Sequence, residues 1–553
     1  MTSQPQLSPP LEPVSPPPGP SKPDDALSAV THSAPMTSTV VAQPDADPII
    51  LSRPSLGPRT GGGRRTKPLL LGLWGSVVIA FAGMGAGGKL VRDPILEGTP
   101  LVAARFGHGY DLAVLGVYLG LGLLVWAWVL LGREVLARRA GGRVVLRTAV
   151  VWILPVVAAP PLFSRDVFSY LAYGEMPLRG FDPYSGGPSA LTGPIADNVH
   201  WFWQDTPAAY GPLFILLAKG VVSIAGENMV VGVILMRLVM MAGLVPFVAA
   251  LPGLVRHLGG RASVAVWLAV ANPVMILHLV GGPHNDLLVV GLLSSGCLLV
   301  LDRKHAAGIA LVTLAMAVKA TAGFALPFLV LVWAARLEGP HRVRVVRASA
   351  AGIGVFLVVF TAVSVAAGVG LGWLSALNAP SNIVNWLSLP TGVGQVLHTV
   401  AGLLIPGLPE MPFVMVTRVI GGLVFLVIAF KQWRAASAGG ADAVRRAGVV
   451  LMLLALLSPA TLPWYYSWGM ALLAAVPWTA AAMSRVIFMS VFLVVAAFPS
   501  GEVALYAFGY LALMLIGAVI AAKSLRSPDP LGQWSEQRDL TSGRRESSHQ
   551  PAG

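Results

Sequence analysis

Between Pro161 and Pro212 the chain carries its longest polar interval between two hydrophobic stretches, PLFSRDVFSYLAYGEMPLRGFDPYSGGPSALTGPIADNVHWFWQDTPAAYGP. Asp166, Glu175, Asp182, Asp197 and Asp205 stand there against only Arg165 and Arg179, with Tyr170, Tyr173, Tyr184, Trp201, Trp203 and Tyr210 interleaved. Carboxylates can take protons or hold cations, and aromatic faces are surfaces on which sugars and isoprenoid chains stack. The pattern fits a substrate site. The plainer alternative is a water-facing loop at a membrane interface, where acidic and aromatic residues also gather.

A second group lies downstream, where Asn272-Pro273 is followed by Gly281-Gly282-Pro283-His284-Asn285-Asp286 at the ends of two consecutive apolar stretches. Pro273 should break or kink a helix. Pro283 beside two glycines should make a tight turn that presents His284, Asn285 and Asp286 at the start of the next helix. Asn285 or Asp286 would also serve there as a plain N-cap, and the two roles can coexist. Lys319 and Thr321 fall near the end of an apolar stretch, where an unpaired lysine is costly unless it snorkels to the interface or meets a partner. A lysine so placed can neutralise a phosphate, and Arg165 can do the same or pair with Asp166. Arg237 and Arg418, also within apolar stretches, should face a bundle interior. Trp464, Tyr465, Tyr466 and Trp468 fit an aromatic belt at the headgroups, or a wall for a polyprenyl chain. Asn378, Asn382 and Asn385 can bond sugar hydroxyls.

The elements that position these groups must be membrane helices. Of 553 residues 55% are hydrophobic and only 11% charged, and mean hydropathy is +0.72, which excludes an ordinary soluble chain. Apolar stretches near the length needed to cross ~30 Å of hydrocarbon recur from Pro68 to Ala522. The net charge of +13 collects in short loops, such as the one holding Arg133, Arg138, Arg139, Arg143 and Arg147, where it sets orientation and does not imply nucleic acid. Cys297, the single cysteine, lies in an apolar run as a small filler, so no intrachain disulfide is possible. Residues 1–66, rich in Pro, Ser and Thr and ending in a basic run, read as a disordered cytoplasmic tail and not as a signal peptide. Residues 523–553 read as a disordered polar tail. The basic loops direct the stretch at about 148–163 outward and deliver the acidic loop, about 164–209, to the outer face. Parity then fails twice, so either stretches at about 210–225 and 392–408 are re-entrant or interfacial, leaving about 13–15 spans, or the charge bias is broken locally. The expected fold class is an all-α polytopic transmembrane helical bundle.

Arg165-Asp166 with Tyr170, Tyr173 and Gly174, then Phe181-Asp182-Pro183-Tyr184, Tyr210-Gly211-Pro212, and Asn272-Pro273 through Gly282-Pro283-His284-Asn285-Asp286, stand in an order that resembles a known family. They are similar to the actinobacterial polyprenol-phosphate-mannose-dependent alpha-1,6-mannosyltransferases of the GT-C superfamily, the MptB-like enzymes of lipomannan and lipoarabinomannan assembly. The likeness covers residues 67–522, outside the two tails. It implies a GT-C-like integral membrane glycosyltransferase that moves mannose, with inversion, from polyprenyl-phosphate-mannose to a mannan acceptor on a phosphatidylinositol-mannoside anchor. The active site would lie on the extracytoplasmic face of the plasma membrane, among membrane lipids. The resemblance maps the general base to Asp166 and an assisting position to Asp286 with His284. Arg165, Tyr170, Tyr173, Asp182, Tyr184, Tyr210, Asn285 and Lys319 are the accompanying substrate-binding expectations. No metal ligand is assigned, and dependence on a divalent cation is left open. The alternative is a transporter or lipid-linked sugar flippase, which should show internal repeats and ionisable residues near the midplane. Here the polar groups gather at the ends of spans, which favours an enzyme acting at the interface.

Overall fold

The computed structural model describes residues 62–526. Helices dominate them, and β-structure among the described residues is confined to one bridge between Ala497 and Val503, in keeping with an all-α bundle. Six described helices are long and apolar enough to cross a membrane: Thr66–Ala86, Gly107–Leu136, Met229–Leu258, His341–Ala367, Glu410–Ala435 and Phe508–Leu525. A seventh is added if Met275–Gly281 and Asp286–Leu301, bent by 111°, form one span. The chain is thus a multi-pass membrane protein. The apolar stretches of the sequence outnumber these helices because several fold as shorter ones, among them His305–Val318 and Ala480–Val494. Both stretches expected to be re-entrant are also short, with 14 residues in Pro212–Ala225 and 16 in Leu389–Leu404. The described helices begin at Gly62 and end at Arg526, inside the limits drawn for the two tails; the remainder of each tail lies outside the described residues.

The helices sort by what they expose. His341–Ala367 and Glu410–Ala435 leave Leu357, Val358, Val365, Val419 and Leu423 uncovered, as a lipid-facing surface does. Residues 262–287, in contrast, are buried without exception. A segment apolar on every side belongs at the centre of a bundle. The turn carrying His284 and Asp286 is therefore surrounded by protein. Trp128 and Trp267 lock this centre to the outer helix Gly107–Leu136: each indole N–H donates to the other's backbone carbonyl, at 3.1 and 3.0 Å.

Arg237 does comparable work deeper in. It is 1% exposed and donates to the carbonyls of Val157 (2.6 Å), Ala159 (2.7 Å), Val280 (3.1 Å) and Gly281 (3.1 Å). One cation thus closes the C-terminal ends of Gly142–Val157 and of the π-helical segment Met275–Gly281, satisfying carbonyls that helix ends leave free. The Leu162 N–H joins the same junction by donating to Gly281 at 3.2 Å. Arg237→Met strips these carbonyls of their donors. It is expected to cost several kcal/mol of stability, seen as a large fall in Tm of the detergent-solubilised protein, with Arg237→Lys falling between.

Candidate active site

Asp166 opens the helix Asp166–Leu178, where a carboxylate is favoured by the helix dipole, and its backbone N–H donates to Ser164 Oγ at 3.1 Å. Ser169, Tyr170 and Tyr173 follow at spacings of three, four and seven, which puts them on the same face as Asp166. Just upstream, Phe163 holds φ = +59°, a left-handed conformation costing a bulky residue about 1–2 kcal/mol. It is pinned there by burial and by its N–H bond to Pro499 O at 3.0 Å. Strain so close to a carboxylate accords with a site whose geometry is imposed by its surroundings.

The Tyr210-Gly211-Pro212 motif has a packing explanation. A Cβ on Gly211 would fall 2.4 Å from the Ala317 carbonyl oxygen, and the Gly211 N–H donates to Val318 O at 3.1 Å. Only glycine lets the two backbones come this close. The contact seats Tyr210 beside Lys319, the next residue along. Pro212 then starts Pro212–Ala225, against which the helix of Asp166 packs through Gly174. Tyr170 meets Tyr210 and Phe214 edge-on at 5.3 and 4.9 Å, and Tyr173 donates its hydroxyl to Thr206 O at 2.9 Å. Burial, with the charge of Asp166 adding to it, holds the Tyr173 phenol well above its ordinary pKa, so it serves as a neutral donor.

Two groups from the broken helix complete the centre. His284 is fully buried, stacks on Trp464 with ring centroids 3.6 Å apart, and directs Nδ1 at the carbonyl of His278, 2.5 Å away. A carbonyl can only accept, so the ring proton is assigned to Nδ1. The other nitrogen, Nε2, then faces Asp166 Oδ2 at 3.6 Å. Asp286, also fully buried, receives Lys319 Nζ on both oxygens at 2.9 Å and the Trp468 indole N–H at 2.5 Å. Lys319 Nζ lies over the rings of Tyr465 and Trp468, at 4.6 and 5.3 Å from their centroids. With its carboxylate so occupied, Asp286 is Lys319's counter-ion and holds the lysine in place.

Asp166 and Lys319 line one cavity of about 50 Å³, together with Ser169, Tyr173, Tyr210 and Tyr465. A second cavity, of about 250 Å³, contains Arg165, His200, Trp201 and Glu502. Asp166, Trp203, Ile383, Leu462 and Trp464 belong to both, so the carboxylate stands where the two meet. Arg418 fixes the roof. It donates to the Ser381 and Ile383 carbonyls and to Thr391 Oγ1, at 2.6, 2.5 and 2.9 Å.

Of the residues singled out in the sequence, the fold brings Arg165, Asp166, Tyr170, Tyr173, Tyr210, His284, Asp286 and Lys319 into one neighbourhood. Arg165 is not the partner of Asp166: its Nη2 donates to Asn198 O at 3.1 Å, and burial lowers its pKa, opposed by the charge of Glu502. Asn285 precedes the helix Asp286–Leu301 without capping it, and its amide is buried with no hydrogen-bond partner among the described residues. Asp182 and Tyr184 line neither cavity. Asp182 Oδ1 accepts the Tyr184 N–H at 3.0 Å to close a turn, and the Tyr184 ring packs on Gly372. The turn thus engages the carboxylate, and the glycine contact buries the ring. Asn385 likewise spends its amide on Thr461, Leu387 and Ser388, whereas Asn378 and Asn382 are exposed. The aromatic belt expected at Trp464–Trp468 is replaced by an interior wall, every one of its four rings being at most 8% exposed. Sequence reasoning missed the partnership of His200 with Glu502, which lie 302 positions apart, and the roof at Ile383. No local signal joins such distant residues.

Comparison with known proteins bears on what this arrangement serves. Residues 69–335 match the family described as Alpha-(1->6)-mannopyranosyltransferase, N-terminal domain, and residues 390–527 match the MptB C-terminal domain. Alpha-(1->6)-mannopyranosyltransferase A of Mycobacterium tuberculosis is 39% identical over 84% of this chain and 91% of its own length. The corresponding A protein of Corynebacterium glutamicum is 32% identical over 70% of this chain and 84% of its own, and the B protein of that organism 30% identical over 73% and 72%. No solved structure matches the chain. The first domain match spans both the helix of Asp166 and the broken helix of His284. With a domain match and identity of this extent, the chain belongs to the alpha-(1->6)-mannopyranosyltransferase family of multi-pass membrane proteins.

Proposed function

We propose that the protein is an inverting mannosyltransferase that moves mannose from polyprenyl-phosphate-mannose to an alpha-1,6-mannan acceptor of lipomannan and lipoarabinomannan. It would act at the extracytoplasmic face of the plasma membrane, with residues 67–522 as the catalytic unit. The observation that carries the reading is the Asp166 carboxylate at the meeting of two cavities, with Lys319 in one of them and His284 behind it. An acceptor hydroxyl bonded to Asp166 attacks the anomeric carbon as the bond from that carbon to the phosphate oxygen breaks on the opposite face. The hydroxyl proton goes to Asp166 and the electron pair leaves with the polyprenyl phosphate. Phosphate is already a good leaving group, so a base on the incoming side and a cation on the outgoing side suffice. Lys319, held by Asp286, is that cation. His284 offers its Nε2, 3.6 Å from the carboxylate, as the next stop for the proton.

The reading is tested with the purified protein in lipid nanodiscs, supplied with labelled mannose either on a polyprenyl phosphate or on a nucleotide, and a short alpha-1,6-mannoside. Transfer from the lipid donor alone, with a new alpha-1,6 bond in the product, is expected; transfer from the nucleotide alone would remove the proposed donor. His284→Gln preserves a polar side chain but cannot act as an acid or base, and is expected to lower kcat about tenfold to a hundredfold with a small change in KM. A purely structural histidine would give instead a loss of folded protein.

A further inference from the structure

The second cavity at Asp166, which does not include Lys319, has chemistry of its own. Its walls include Trp201, Trp203 and Trp464, and its charged and titratable side chains are Arg165, Asp166, His200 and Glu502. Trp201 is 76% exposed, held out by the short turn Trp201–Trp203, with the His200 ring beside it at 5.4 Å. His200 Nδ1 accepts the Phe202 N–H at 3.3 Å, which leaves Nε2 to donate to Glu502 Oε1 at 3.2 Å. The Glu502 side chain remains 60% exposed, so its second oxygen is open to a donor. Glu502 is brought here by the bend Pro499–Gly501, where a Cβ on Gly501 would lie 3.1 Å from Ser164, two residues before the catalytic aspartate.

From this we infer that the cavity is the acceptor subsite, and that it holds a saccharide residue next to the one whose hydroxyl reacts, with Trp201 as the stacking face and Glu502 as the hydroxyl acceptor. The inference rests on the function proposed above and adds which side of Asp166 each substrate takes. An in-line displacement needs the acceptor and the departing phosphate on opposite sides of the reacting carbon, and the two cavities touch at the base that serves the acceptor. Charge sorts them. The lining of the first cavity sets Lys319 against the single carboxylate of Asp166, whereas the second sets Arg165 against two carboxylates, Asp166 and Glu502, and so disfavours a phosphate. Flat aromatic faces beside a carboxylate suit a ring of C–H bonds edged with hydroxyls. The larger volume, about 250 against about 50 Å³, also fits the partner of which more than one sugar must be accommodated.

The test is direct binding to the full chain in nanodiscs with no donor present, so that turnover plays no part. Alpha-1,6-mannotriose is titrated by calorimetry, and a short-chain polyprenyl phosphate by the same method, against wild type, Trp201→Ala and Glu502→Gln. Both side chains are largely exposed, so neither change endangers the fold. Mannotriose affinity is expected to fall about tenfold or more in each variant, with polyprenyl phosphate affinity within twofold of wild type. Unchanged mannotriose binding in the variants, or no mannotriose binding to wild type, overturns the inference. Loss of polyprenyl phosphate binding instead would give this cavity to the donor. Failure of the proposed function shows separately, as absence of transfer from the lipid donor by a wild type that binds the saccharide.

Discussion

Asp166→Asn is expected to lower mannose transfer by about two to four orders of magnitude while the protein folds and binds both substrates. The expectation rests on what the carboxylate does not do. Its side chain is 16% exposed, and among the described residues no lysine or arginine pairs with it; the imidazole of His284 stands 3.6 Å away. Replacing it with a neutral amide of the same shape therefore strands no buried charge. What is lost is the ability to take a proton from a hydroxyl at the junction of the two cavities. Transfer at saturating substrates, compared at matched amounts of folded protein, reads this directly. A variant that retains more than about a tenth of wild-type kcat would exclude Asp166 as the base.

Asp286 should behave in the opposite way, although it is the second carboxylate of the same centre. Asp286→Leu leaves the Lys319 ammonium, 11% exposed, without its counter-ion, and Lys319→Met leaves the fully buried carboxylate without its cation. Removing one member of a buried pair costs about 3–5 kcal/mol, whereas replacing both with apolar groups is often neutral or stabilising. Each single variant is thus expected to show a steep loss of thermal stability, and the double variant Asp286→Leu/Lys319→Met to regain most of it. The double variant should still fail in transfer, because the cation facing the departing phosphate is gone. Recovery of activity together with stability would mean that Lys319 serves the fold alone.

These two aspartates illustrate how far the sequence can be read. Asp166 was identifiable because it opens an aromatic, acidic interval between apolar stretches, and the spacing of Ser169, Tyr170 and Tyr173 behind it is a local property of a helix. The Pro283 turn and its two glycines were legible for the same reason, and the structure bends the chain by 111° there. Asp286 could be seen but not interpreted, since its role depends on Lys319, 33 positions on, and on Trp468, 182 positions on. Asp182 has the sequence neighbours of a site residue, and the fold engages its carboxylate within its own turn, outside both cavities. At Trp464–Trp468 the sequence leaves a headgroup belt and a wall as alternatives, because the two have the same composition and differ only in what packs against them.

Composition and apolar periodicity determined that the chain is a helical membrane protein, because burying backbone polar groups in lipid permits few alternatives to a helix. The order of short motifs in the sequence determined its family. Only the tertiary structure decided that Gly211 and Ala317 touch, that Arg237 closes two helix ends at once, and that Glu502 comes to stand beside His200. Helix formation depends on neighbours within four residues, whereas counter-ions and cavities are made by segments hundreds of residues apart, whose meeting depends on how all the helices pack at once.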